Sequence, residues 1–181
     1  MRHVRDTLGT PLLMKMARVW RLDRTVYDES QADGLATVQA IAVLALAIVS
    51  LWLGGMGLAL TQGHDVGDRA LALLWIAPSM ILGWGLWSLL AYSIGGGLRR
   101  RATTFGGLLR ALGYAHAPGT FYALILIPGL GTLVNLAILV WLTAAALVAL
   151  RTVLDVSTRR ALLLSLAGIT LSITIRNLLR S

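Results

Sequence analysis

Thr103 to Gly131 reads TTFGGLLRALGYAHAPGTFYALILIPGLG, and the fold turns on whether this stretch crosses a bilayer. Leu108 to Ile127 is 20 residues, long enough to cross a hydrocarbon layer of about 30 Å. Yet Arg110, Tyr114, His116 and Pro118 occupy its first half, and Pro128-Gly129-Leu130-Gly131 closes it. A lipid-facing span has no use for such groups, because unpaired polar atoms and freed carbonyls are costly in hydrocarbon. The pattern predicts a kinked or partly re-entrant helix enclosed by smoother neighbours.

Those neighbours lie on both sides. Val38 to Leu60, Ala70 to Ile94 and Thr132 to Leu150 are continuous apolar runs, and Ala161 to Ile175 is a shorter one that borrows its flanks. The expected spans are therefore 38–60, 70–94, 108–127, 132–150 and 160–176. Of the 181 residues 57% are hydrophobic and 13% charged, with a mean hydropathy of +0.76. A soluble domain carries nearer a quarter charged residues. The fold class is all-α and polytopic: a membrane domain over 34–181 behind an N-terminal segment, 1–33.

That segment does not read as a signal peptide, because Pro11 to Met14 is too short an apolar run and Lys15 and Arg18 follow at once,. Leu13, Met16, Val19 and Trp20 share one helical face, while Lys15, Arg18 and Arg21 fall elsewhere. This is the pattern of an amphipathic helix lying in the cytoplasmic interface, and a helix docked on the rest of the protein fits it too. Asp23, Asp28 and Glu29 read as ion-paired surface charges rather than ligands, since no histidine accompanies them.

Arginine supplies all but one of the 16 basic residues, Lys15 being the exception. With five spans and the N-terminus in the cytoplasm, thirteen basic residues lie inside and three outside; with a re-entrant central stretch the counts are twelve and four. Both place the N-terminus inside, and neither decides the number of crossings. The net charge of +8 serves topology, so no nucleic-acid partner is expected. The arginine-, alanine-, glycine- and leucine-rich composition points to a GC-rich bacterial genome, and the expected location is the bacterial inner membrane.

No catalytic signature is present, neither G-x-S-x-G, H-E-x-x-H nor a phosphate-binding G-x-x-x-x-G-K loop. The absence of cysteine removes thiolate chemistry and Cys-ligated metals, and His3, His64 and His116 have no metal-site spacing. No enzyme activity, cofactor or metal is expected. Arg99, Arg100 and Arg101, with Lys15 and Arg18, are the candidate grips on anionic headgroups. Arg110, Tyr114, His116, Pro118 and Asn135 form the candidate polar cluster of the central helix. For His116, the expected use is a neutral imidazole donating to a carbonyl left free near Pro118.

The run Gly107, Leu108, Leu109, Arg110, Leu112, Gly113, Tyr114, Ala115, Ala117 and Pro118 resembles the G-x-L-L-R-x-L-G-[FY]-A-x-A-P run of bacterial members of the Yip1-domain family. Arg151 to Asp155, followed by Thr158, Arg160 and Ala161, is similar to that family's loop between spans four and five. The resemblance covers about residues 21–170 and implies five spans with a cytoplasmic N-terminus. Eukaryotic relatives bind small GTPases in vesicle traffic. That role does not carry over, because the segment before the first span is short here and a bacterium lacks the machinery. The function expected is a non-enzymatic membrane protein that organises anionic lipids, partner membrane proteins or copies of itself. The alternative is a small channel or transporter with a path lined by Tyr92, Tyr114, His116 and Asn135.

Overall fold

A computed structural model describes residues 11–62, 67, 70, 73–96, 103–127 and 129–179. The elements are α1 (Leu12–Trp20), α2 (Thr25–Ala32), α3 (Ala36–Thr61), α4 (Ile76–Gly96), α5 (Phe105–Ala115), a 3-10 segment (Ala117–Leu126), α6 (Gly131–Leu154) and α7 (Thr158–Leu178). Helices α3, α4, α6 and α7 are each long and apolar enough to cross a membrane. Their outer faces carry exposed leucine, isoleucine and valine, among them Val38, Ile81, Val140 and Leu163, as a lipid-facing surface requires.

Helix α4 starts at Ile76 after a turn at Trp75, with residues 73 and 74 helical before it, and Pro78 lies near its start. It stands in the first turn, where a missing N–H costs nothing. The Ser79 hydroxyl takes up the carbonyl of Ile76 at 2.9 Å. At the other end of the chain Asp155, at φ 50°, closes α6 in the left-handed region and turns it into α7.

The central stretch is two elements rather than one helix. Thr104 caps α5, its hydroxyl accepting from the N–H of Gly107 at 3.0 Å. At His116 the backbone N–H bonds back to Gly113, one residue short of α-helical spacing, and the 3-10 segment follows. A 3-10 run of 10 residues is long for this geometry and needs outside support. Ser50 of α3 supplies it: its hydroxyl donates to the carbonyl of Thr120 at 2.7 Å and accepts from the N–H of Ala123 at 2.8 Å.

Residues Ala36, Ala40, Val43, Ala47, Ser50 and Gly54 form a buried stripe on α3, spaced alternately four and three apart as a helix–helix seam demands. Along it the central stretch advances in register. Gly113 lies against Ala40, Gly119 against Ala47, and Gly54 against Tyr122 and Ala123. The two therefore run side by side in the same direction. The close approach is made by Gly54, while the neighbouring Gly55 faces Leu73. Elsewhere, Gly83 packs on Ser172 and Gly168 on the indole of Trp87, bringing α4 against α7. In the alanine run of α6, Ala145 and Ala146 are fully buried.

Candidate functional site

The polar residues of the central stretch do not form one cluster. They face two ends of the bundle.

At the first end lie α1 and α2. The buried face of α1 comprises Lys15, Met16 and Val19, while Leu13 and Met14 are 73% and 56% exposed. The helix is docked on the bundle. Trp20 donates through Nε1 to the carbonyl of Ala117 at 3.1 Å, and Trp141 donates to the carbonyl of Trp20 at 3.1 Å. Phe121 lies between these indoles, stacked on Trp141 at 5.6 Å and tilted on Trp20 at 5.0 Å.

Lys15, expected among the headgroup grips, is withdrawn from the surface. Its ammonium pairs with Asp33, donates to Gln39 Oε1 at 2.8 Å and sits 5.7 Å from the ring centre of Tyr114. The physical reason is the placement of Asp33 and Gln39 at the start of α3, which gives a buried cation the partners it needs. Tyr114 donates to the same Gln39 oxygen at 2.7 Å. Arg18 is likewise committed, bonded to Asp23, Thr25 and both oxygens of Glu29, so those carboxylates are ion-paired as expected. The Thr25 hydroxyl and N–H, then Arg18, hold the carboxyl of Asp23 down at about 2. Hydrogen bonds from Arg18 and Lys15 lower Glu29 and Asp33 in turn.

Arg110 reaches from α5 to the end of α2, donating to the carbonyls of Ser30 at 3.0 Å and Gln31 at 3.4 Å. Helix α2 has no basic residue in its own last turn, and Arg110 supplies the missing cation at its negative pole. Gln31 returns a bond to the carbonyl of Gly107 at 3.3 Å, lying where a side chain at 107 would stand. Tyr27, fully buried, donates to the carbonyl of Ala145 at 3.1 Å. The G-x-L-L-R-x-L-G-Y run is thus a docking surface for α1 and α2.

At the second end is a cavity of about 180 Å³ bordered by α3, α4, the 3-10 segment, α6 and α7. His116 and Asn135 both line it. The His116 Nδ1 lies 2.8 Å from the carbonyl of Leu112. Because a carbonyl only accepts, Nδ1 carries the proton, and the tightened backbone at 116 explains why Leu112 needs a donor. Pro118 is buried at the start of the 3-10 segment. Tyr92 packs edge-on against Phe105 at 6.1 Å and Tyr114 belongs to the Lys15 network, so neither joins His116 and Asn135.

Arg99, Arg100 and Arg101 lie outside the described residues. The partners Gln31, Gln39, Ser50 and Arg176 were not anticipated as site residues. A glutamine one turn into a first span and a serine at its middle were the available signals. Trp84 of α4 packs on α5, donating to the carbonyl of Leu109 at 2.9 Å.

The family model described as Yip1 domain matches residues 17–175. No curated protein matches, and no solved structure matches.

Proposed function

The chain belongs to the Yip1-domain family and is a multi-pass membrane protein, and on that premise we propose that it organises membrane lipids or partner membrane proteins without enzymatic chemistry. One observation carries this reading. Lys15 and Arg110 lock α1 and α2 onto the bundle, and α1 then holds Leu13 and Met14 outward with exposed Arg21 and Arg24 nearby in the chain. A rigid platform with outward apolar side chains and cations suits the zone between headgroups and acyl chains.

In this reading the N-terminus is cytoplasmic, in a bacterial inner membrane, and the chain crosses five times. The side-by-side register of α3 and the central stretch, from Ala40 to Gly54, supports the fifth crossing. Laid end to end, 11 α-helical and 10 3-10 residues rise about 36 Å, enough for a hydrocarbon core. The end of α4 and the start of α5 lie on the same side as α1 and α2, and the arginines at 99–101, between them in the chain, add to the attraction for anionic lipid.

The test is native mass spectrometry of protein released gently from its membrane. A smaller number of bound anionic lipids when Arg99, Arg100 and Arg101 are replaced by serine supports the proposal. Equal retention by the variant contradicts it. A second reading, a small channel or transporter, draws on the shared cavity of His116 and Asn135. It requires liposome flux that His116→Ala alters.

A further inference from the structure

We propose that the cavity at the second end of the bundle binds one amphiphile with an anionic headgroup, entering from the leaflet on the side opposite α1 and α2. This goes beyond the role proposed above for the arginines at 99–101.

The chain direction fixes where the cavity lies. Its lining residues come late in α3 (Leu51) and α7 (Arg176) and early in α4 (Ser79) and α6 (Asn135). Helices α3 and α7 start, and α4 and α6 finish, at the end that α1 and α2 cover. The cavity therefore occupies the opposite half of the membrane domain.

Its chemistry is graded along that axis. Arg176, partly exposed, and Asn135, exposed, stand toward the opening, whereas Trp87 and His116 are buried at the inner end. Leu139, Leu142, Ile169 and Ile173 form the wall between them. From Ile169 to Arg176 the wall of α7 rises about 10 Å. Such a slot takes a stretch of hydrocarbon below a polar head.

The charge of the head follows from Arg176. Among the described residues, its Nε is the one buried side-chain nitrogen or oxygen without a hydrogen-bond partner. Among them, too, no carboxylate lines the cavity. A buried guanidinium nitrogen without an acceptor is costly, and guanidinium pairs best with a carboxylate or phosphate. Asn135 can donate to the same head. An ordinary lipid-facing arginine extends to the interface instead; this one turns its Nε inward.

The experiment uses the full chain in detergent, exchanged separately with dioleoylphosphatidylglycerol, oleate, dioleoylphosphatidylcholine or inorganic phosphate, and read by native mass spectrometry. Wild type is expected to keep one equivalent of phosphatidylglycerol or oleate in preference to phosphatidylcholine. Whichever anionic arm binds identifies the source, phospholipid or fatty acid. Arg176→Gln should weaken that binding about tenfold, as expected for one charge-assisted pair, and Arg176→Lys by less. Replacing Arg99, Arg100 and Arg101 by serine should leave this equivalent in place, which separates the site from the loop. Unchanged binding in Arg176→Gln, no preference for an anionic head, or inorganic phosphate bound as tightly as the amphiphiles would each overturn the proposal. Should Arg176→Gln fail to fold, Leu139→Phe narrows the wall without touching the charge and must lower retention; unchanged retention overturns the site equally.

Discussion

Arg110 donates from the middle of α5 to the carbonyl of Ser30 in the last turn of α2, 3.0 Å away and 80 residues apart in the chain. The bond converts an ionisable residue of an apolar stretch into the cap of another helix. Removing it should release α2 and, through Lys15 and Asp33, α1. Arg110→Ala is expected to destabilise the fold by about 1.5–3 kcal/mol, the range for hydrogen bonds to charged groups. Arg110→Lys should recover part of this, since one ammonium cannot match the fork that reaches both Ser30 and Gln31. Thermal unfolding in a fixed detergent measures both.

Lys15 is almost fully buried beside Asp33, so the two should be strongly coupled. Asp33→Ala leaves the ammonium without its counter-charge and is expected to cost roughly 3–5 kcal/mol. Replacing both, Lys15→Met with Asp33→Leu, should cost much less than the single change. A double-mutant cycle checks the prediction, and additive effects would contradict it.

Two helical glycines should respond oppositely to the same substitution. A Cβ at Gly54 would stand against the carbonyl of Tyr122, and 2.7 Å from Ile125 Cγ1. Gly54→Ala is expected to cost about 1–3 kcal/mol by overpacking. Gly85 has nothing within 4 Å of its Cβ position. Gly85→Ala should therefore be neutral or stabilising by up to about 1 kcal/mol. Unfolding midpoints compared under one condition decide.

The acidic groups around α1 and α2 set a pH limit on that docking. Asp23, Glu29 and Asp33 all have lowered pKa values in the folded state, so the unfolded chain binds protons more readily. The stability they contribute is complete above about pH 5. It is lost as pH falls toward the Asp23 value of about 2. Hydrogen exchange of α1 and α2 should be constant from pH 5 to 8, after correction for intrinsic rates, and faster below 4. The Arg18 pairs are partly exposed, so salt should reduce their share.

The four long helices were legible because hydropathy is a property of a contiguous run, and 38–60 and 132–150 fall inside α3 and α6. The carbonyl acceptor of His116 was legible too, since a break beside a proline calls for a local donor. What escaped was decided by distant partners. Lys15 reads as an interfacial cation until Gln39 and Asp33 are placed beside it. The central stretch reads as one helix until Ser50 inserts between Thr120 and Ala123. Arg176 sits where a snorkelling arginine is expected, and only the packing of α7 against α4 and α6 places it at a cavity.

The central claim is that residues 103–127 cross the bilayer alongside α3, placing the Lys15 network and the His116 cavity at opposite ends. The chain has no cysteine, so single cysteines at Gln62, Leu130 and Ser157 can be probed with an impermeant thiol reagent on intact and permeabilised vesicles. The account predicts that Leu130→Cys labels from the same side as Gln62→Cys and that Ser157→Cys labels from the other. Leu130→Cys on the side opposite Gln62→Cys, with Ser157→Cys on the same side as Gln62→Cys, would mean that the central stretch dips in and returns, and would contradict it.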